Sequence, residues 1–144
     1  MATDTSDQHA GATERQIKPE VTVGKEHRSV TVLMIDIVGS TDLMEKLGHE
    51  SYGAVLQSFH SMCTGFVRRR GGIVAEYLGD GIVCYFGLPH ASEDDAAHAV
   101  KAALEITRDL EKNRSDKAAV DARLGLSSGL VMISGDADQF GTSA

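Results

Sequence analysis

The chain has 144 residues, of which 42% are hydrophobic and 24% are charged. These values are typical of one soluble globular domain and exclude a chain that is disordered throughout. The longest apolar stretches, near residues 32–38 and 82–88, are far shorter than the ~18 residues of a membrane span. The net charge of -7 argues against duplex nucleic acid as a partner. An acidic chain that binds a nucleotide needs a metal ion between the like charges.

The cysteines and the N-terminal segment indicate a cytoplasmic protein. Cys63 and Cys84 each lie in an apolar pattern, which predicts two buried free thiols rather than a disulfide framework. The first 20 residues are polar and contain no apolar signal region. We therefore expect a disordered polar tail over residues 1–27, followed by one domain over residues 28–144.

The first predicted element of that domain is a buried strand. Residues 30–37 are mostly apolar and rich in β-branched side chains, and Gly39 follows them. Ser40 or Thr41 can cap a short helix, which we expect to end at Gly48.

A long amphipathic helix is the clearest periodic feature of the sequence. Its apolar residues recur every three or four positions, as one core-facing stripe requires: Tyr52, Val55, Leu56, Phe59, Met62, Cys63, Phe66 and Val67. We expect Gly71 and Gly72 to end it.

A hairpin is predicted next. Two β-rich runs, Ile73–Leu78 and Ile82–Phe86, flank a Gly-Asp-Gly turn at residues 79–81. An Asp-Gly pair between apolar runs is a strong hairpin signal because both residues tolerate a positive φ.

The remaining elements are one helix and a final strand region. Ser92 and Asp95 resemble a capping box at the start of the helix. Its apolar side is predicted to comprise Ala96, Ala99, Val100, Ala103, Leu104, Ile106 and Leu110. Residues 120–126 begin a strand, which residues 130–133 either continue or follow as a separate strand.

The order strand, helices, strand, strand, helix, strand defines the expected fold class. It predicts an α+β fold with a ferredoxin-like β-α-β-β-α-β core. In this arrangement the helices lie on one face of a largely antiparallel sheet.

Two aspartates suggest chemistry. Asp36 interrupts an apolar run, where an unpartnered carboxylate is costly to bury. Residues 38–41 lead from a strand into a helix start, where free backbone amides favour a phosphate. Asp80 lies in a turn expected to be near Asp36, and two carboxylates beside such a turn predict a two-metal phosphoryl- or nucleotidyl-transfer site. The structural alternatives are an exposed strand end or helix cap for Asp36 and an ordinary turn residue for Asp80.

Several motifs resemble one family. Asp36–Thr41, Tyr77–Gly81 and Tyr85–Pro89 are similar to the class III nucleotidyl (adenylate/guanylate) cyclase catalytic domain. His90–Ala97 resembles the bacterial branch of that family, and the resemblance covers residues 28–144. Because the family's final helix and strand have no counterpart, the resemblance implies an incomplete, N-terminal portion of the domain.

The resemblance implies an activity and a site. The activity is adenylate cyclase, which converts ATP to 3′,5′-cyclic AMP and pyrophosphate by a two-metal mechanism. Asp36, Asp80 and the Ile37 carbonyl are implied to bind two Mg²⁺ or Mn²⁺ ions per site. The implied phosphate-binding residues are Val38, Gly39, Ser40 and Thr41. The implied partner is a second protomer in a head-to-tail homodimer.

The implied base-recognition positions disagree about the base. Glu76 occupies a selector position where glutamate suits guanine and lysine suits adenine. Asp138 occupies the second selector position, where aspartate suits the adenine amino group. The family's transition-state Asn and Arg would fall beyond Ala144, which implies that the fragment alone is inactive.

Other functions remain open on the sequence. Guanylate cyclase activity and a catalytically inactive, cyclase-like dimerisation or regulatory module are the alternatives. A diguanylate cyclase would share the sheet and the metal chemistry, but its Gly-Gly-Asp-Glu-Phe-type turn is not found here. The histidines show no metal-ligand spacing, and no chemistry is assigned to them.

Overall fold

A computed structural model describes residues 26–133 of the chain. Its seven elements, in chain order, are β1 (Glu26–Ile37), α1 (Ser40–Leu47), α2 (His49–Arg69), β2 (Ile73–Leu78), β3 (Gly81–Phe86), α3 (Asp95–Lys112) and β4 (Ala122–Ile133). The predicted order of strands and helices is confirmed. Residues 1–25 of the predicted tail, and Asp138, lie outside the described residues.

The four strands form one sheet in the order β2-β3-β1-β4. β1 lies in the interior and pairs antiparallel with both β3 and β4, while β2 pairs antiparallel with β3. This is the expected ferredoxin-like arrangement, because the crossover from β1 to β2 leaves a gap that β3 fills.

The core lies between one face of the sheet and the two long helices. Leu33, Ile35 and Ile37 alternate along β1 and are buried. They pack with buried residues of the neighbouring strand and of both helices: Ile82, Cys84, Phe86, Phe59, Cys63, Val67, Ala99, Ala102, Ala103 and Ile106. The prediction of two buried free thiols is confirmed.

The opposite face of the sheet carries the other residues of each strand. Because side chains alternate, Met34 and Asp36 of β1 point away from the helices, and Met34 is 53% exposed. Val83 of β3 is paired with Met34 and therefore shares this side. We call it the open face, since no helix within residues 26–133 covers it.

The structure decides an alternative that the sequence leaves open for the last strand. β4 is one uninterrupted strand that pairs with β1 along its whole length, from Ala122 to Ile133, so residues 130–133 continue it. Two expectations differ from the structure. β1 begins at Glu26, two residues before the predicted start of order. The outward side of α3 carries Ala96, Val100 and Leu104, all exposed, although they were predicted to face the core.

The correction to α3 has a packing reason. Its buried stripe is Ala99, Ala102, Ala103 and Ile106, so small side chains bring the helix close to the sheet. The sheet then covers only this narrow stripe of α3, and the apolar residues that flank the stripe on the helix surface stay exposed to solvent. None of the helices within residues 26–133 combines the length and the apolar character that crossing a membrane would require.

Candidate functional site

Asp36 is the penultimate residue of β1 and lies on the open face. Its side chain is 49% exposed, so its charge is not buried in the core. The sequence-based concern about burial therefore does not arise, because strand alternation directs this side chain away from the helices. Arg123 is its cross-strand partner on β4.

Asp80 lies in the turn between β2 and β3, and the β1–β3 register brings this turn to Asp36. Ile35 is paired with Ile82, which places Gly81 beside Asp36. A Cβ built on Gly81 would lie 3.7 Å from Asp36 Oδ1 and 3.4 Å from the Ile35 carbonyl oxygen. The Asp36 carboxylate thus lies next to the backbone of the residue that follows Asp80.

The segment after β1 turns sharply into α1. Gly39 has φ 66°, a left-handed conformation that glycine adopts without strain. Its carbonyl accepts the Leu43 N–H at 3.0 Å, so α1 starts immediately after it. Among residues 26–133, no side chain caps this helix, and its first N–H groups, including that of Ser40, have no partner within the helix.

One predicted phosphate ligand has to be corrected. The Val38 N–H donates to the Asp121 carbonyl oxygen at 2.8 Å, so it is already part of the sheet edge. An N–H has one hydrogen to donate. The candidate phosphate-binding amides are therefore those of Gly39, Ser40 and Thr41.

A pocket of about 360 Å³ opens on the open face beside Asp36. Met34 and Leu78 form part of its apolar wall, while Asp36 and Arg123 lie at its polar end. Gly81 also lines it, and the missing side chain there keeps the space near the carboxylate free.

The donor atoms at this end suit a hard divalent cation. Asp36 supplies carboxylate oxygens at the pocket, and Asp80, which is not one of the lining residues, precedes Gly81 in the adjoining turn. Carboxylate oxygens are the ligands preferred by Mg²⁺ and Mn²⁺. Residues 26–133 contain no group of three or more His, Cys, Asp and Glu side chains arranged to hold a metal. Two carboxylates fit a cation that takes its remaining ligands from water, a backbone carbonyl and substrate phosphates.

Glu76, the described base-recognition candidate, shares the open face with Asp36. It is exposed on β2 and pairs with Val83, which in turn pairs with Met34. A register irregularity between Val74 and Glu76 sets this side-chain direction. Met34 is two residues before Asp36 on the same face of β1. The cross-strand row formed by Glu76, Val83 and Met34 is therefore next to Asp36 on the open face.

His60, on α2, contacts the turn that carries Asp80, and the sequence did not predict this contact. Its Nε2 lies 3.0 Å from the Asp80 carbonyl oxygen, and its ring lies 4.9 Å from that of Tyr77. No sequence signal indicated this, because His60 simply follows the core residue Phe59 on α2 and has no ligand spacing to another histidine.

Comparison with known proteins identifies the family of this chain. The family model "Adenylate and Guanylate cyclase catalytic domain" matches residues 22–140. The chain belongs to this family. The sequence-based recognition of a class III cyclase domain is thereby confirmed.

Solved cyclase structures share the fold of this cyclase domain. The guanylyl cyclase Cya2 aligns with a TM-score of 0.69 and 28% identity, over 78% of this chain and 61% of that chain. The adenylyl cyclase CyaB from P. aeruginosa aligns with a TM-score of 0.65 and 22% identity, over 76% of this chain and 60% of that chain. The second likeness shows the fold alone.

Sequence relatives are much longer than this cyclase domain. An uncharacterised protein of Mycobacterium tuberculosis is 30% identical over 125 residues, which are 85% of this chain and 21% of that protein. An uncharacterised protein of Rhizobium meliloti is 28% identical over 112 residues, 76% of this chain and 11% of that protein. The chain thus spans about a tenth to a fifth of these relatives.

Proposed function

We propose that this domain is an adenylate cyclase that converts ATP to 3′,5′-cyclic AMP and pyrophosphate. The observation that carries the proposal is the juxtaposition of Asp36 with the turn that holds Asp80. A Cβ on Gly81, the residue after Asp80, would come within 3.7 Å of Asp36 Oδ1. Family membership supports a cyclase reaction in general.

The chain's own residues would divide the work as follows. Asp36, Asp80 and the Ile37 carbonyl would hold two Mg²⁺ or Mn²⁺ ions, and the amides of Gly39, Ser40 and Thr41 would donate to phosphate oxygens. When bound, such cations would supply Lewis-acid chemistry that lowers the pKa of the ribose 3′-hydroxyl and neutralises charge on the phosphates.

The proposed reaction is a single displacement at the α-phosphorus of the nucleotide. The 3′-oxygen loses its proton to solvent and forms a bond to the α-phosphorus, while the bond from that phosphorus to pyrophosphate breaks.

A second protomer would complete the site in a head-to-tail homodimer. Met34, Val38 and Leu78 surround Asp36 and are 53%, 45% and 50% exposed. Exposed apolar residues clustered around a polar site are typical of a surface that another chain covers.

The cytoplasmic location and the division into a tail and one domain over residues 28–144 stay predictions.

GTP is the second candidate substrate, and Glu76 is the observation that favours it. This carboxylate lies on the open face with Asp36 and can accept the N1 and N2 hydrogens of guanine. Asp138 is the residue that favours ATP.

The test is product formation with Mn²⁺ and either ATP or GTP, followed by mass spectrometry. It is run on this chain and on the longest natural protein that contains it. Cyclic AMP as the main product supports the proposal, and cyclic GMP supports the second candidate. If neither forms although the protein dimerises, the inactive dimerisation module is the better account.

Matched variants assign the metal site. Asp36→Asn and Asp80→Asn keep size and shape but remove charge, so each is expected to lower turnover more than about a hundredfold. Glu45→Gln removes an exposed charge on α1 and is expected to leave turnover unchanged. Full activity in either aspartate variant would contradict the metal assignment.

A further inference from the structure

We propose that His60 is a positioning residue that fixes the metal-binding turn through the main chain of Asp80. The proposal rests on the function proposed above, because it assigns His60 a role only if Asp80 binds a metal. It concerns a residue of α2, a helix that carries none of the proposed metal or phosphate ligands.

The contact has a defined direction. A carbonyl oxygen can only accept a hydrogen bond, so the Nε2 of His60 must carry the hydrogen that it donates to the Asp80 oxygen at 3.0 Å. The donor reaches the main chain of Asp80 and leaves both carboxylate oxygens free. His60 therefore orients the residue without competing for its metal-binding atoms.

His60 is itself held firmly. Its ring lies against Tyr77 of β2, with centroids 4.9 Å apart and planes inclined by 37°. The Tyr77 hydroxyl is 3.1 Å from Thr64 Oγ1, one turn further along α2. The next residue toward the N-terminus, Phe59, is buried in the core. The imidazole thus projects from a helix whose other face is packed.

The turn needs such a restraint. Asp80 lies between Gly79, which has φ 62°, and Gly81. Glycine on both sides gives the backbone more freedom than any other flanking residue would. A hydrogen bond from a packed helix removes part of that freedom, which keeps the turn that carries Asp80 next to Asp36 before a cation arrives.

The expected size of the effect follows from comparable sites. Groups that orient a metal ligand without touching the metal typically change metal affinity by about ten- to a hundredfold when removed. His60→Ala is therefore expected to weaken Mn²⁺ binding about tenfold, at the low end because one hydrogen bond is lost.

The experiment titrates the ¹⁵N-labelled chain with MnCl₂ and follows the NMR line broadening of the Gly79 and Gly81 amides. Four proteins are compared: the unaltered chain, His60→Ala, His60→Gln and Thr64→Val. Glutamine keeps an N–H donor at a similar reach, whereas Thr64→Val removes the neighbouring contact to Tyr77 and leaves His60 in place. Circular dichroism checks that each protein is folded.

The outcomes separate the two proposals. Weaker binding in His60→Ala, with binding by His60→Gln and Thr64→Val within about twofold of the unaltered chain, supports a positioning role. Unchanged binding in folded His60→Ala, no rescue by glutamine, or an equal loss in Thr64→Val would overturn it. If the unaltered chain shows no broadening at Gly81, the metal site itself is wrong, and the role of His60 falls with it.

Discussion

Arg123 and Asp36 face each other across β4 and β1, with Arg123 Nη2 3.5 Å from Asp36 Oδ2. The guanidinium therefore lies beside the carboxylate proposed to bind a cation. Both side chains are substantially exposed, at 74% and 49%, so the pair is screened by solvent and weak. A cation that binds Asp36 has to compete with this positive charge.

Removal of the positive charge of Arg123 is expected to strengthen the binding of a cation at Asp36. Arg123→Gln should tighten Mn²⁺ binding about two- to fivefold, the range for one exposed ion pair. Calorimetric titration with MnCl₂ at low and high salt measures it, and the difference should shrink at high salt because charges are screened. Lys46→Gln, on exposed α1, is the control for general charge. Weaker binding in Arg123→Gln would show that arginine supports the site instead.

The substrate preference is expected to depend on Glu76. Glu76→Lys replaces an acceptor for guanine hydrogens with a donor for adenine N1, so the ratio of kcat/KM for ATP over GTP should rise at least about tenfold. Rates with each nucleotide, measured on the active dimer, give this ratio. Glu45→Lys makes the same charge change on α1 and should leave the ratio unaltered. An unchanged ratio in Glu76→Lys would mean that this side chain does not contact the base.

Gly72 is expected to be required by packing. A Cβ there would lie 2.6 Å from Phe86 Cζ and 2.8 Å from Val67 Cγ1, both in the core. Gly72→Ala should therefore lower the free energy of unfolding by about 1–3 kcal/mol, as measured by urea denaturation.

A second glycine provides the matched control for that substitution. Gly65 lies within α2, and a Cβ there would meet nothing within 4 Å. Gly65→Ala should stabilise the protein by up to about 1 kcal/mol, because alanine is the better helix former. Equal effects of the two substitutions would argue against the packing explanation.

The two buried thiols are expected to make stability depend on alkaline pH. Burial raises the pKa of Cys63 and of Cys84 from 9.0 to about 12. The folded state keeps these protons while the unfolded chain releases them, so stability is unaffected below pH 9.0 and falls as the pH rises towards about 12.

Urea denaturation at neutral and alkaline pH measures this loss. Other groups also titrate in alkali, so the double variant Cys63→Val and Cys84→Val isolates the thiol contribution and should lose less stability. Labelling by a thiol-reactive disulfide should also be slow in the folded protein, because the thiolate is the reactive form. Rapid labelling of the native chain at neutral pH would contradict the burial.

Much of the fold could be predicted because its signals are local. The stripe of apolar residues on α2 and the Gly-Asp-Gly turn at residues 79–81 each lie within a few neighbouring positions. The exposure of Val100 could not be predicted, since periodicity shows that a helix has an apolar side but not how wide a stripe its neighbours cover.

The candidate site likewise has features that the sequence predicts and features that it does not. Asp36 stood out from the sequence because a carboxylate in an apolar run requires an explanation. The hydrogen bond from the Val38 N–H to the Asp121 carbonyl oxygen could not be predicted from the sequence, because the two residues are far apart in the chain and meet only at the sheet edge. The contact between His60 and Asp80 was equally hidden, since it depends on how α2 lies across the hairpin.

The sequence by itself determined the order of the elements, the two aspartates and the family to which the chain belongs. Tertiary structure alone decided that Asp36 lies beside Gly81, that Arg123 faces Asp36, and that His60 contacts the main chain of Asp80. Strand register explains the first two and helix packing the third. Both are set by contacts between distant residues, so no local pattern of residues specifies them.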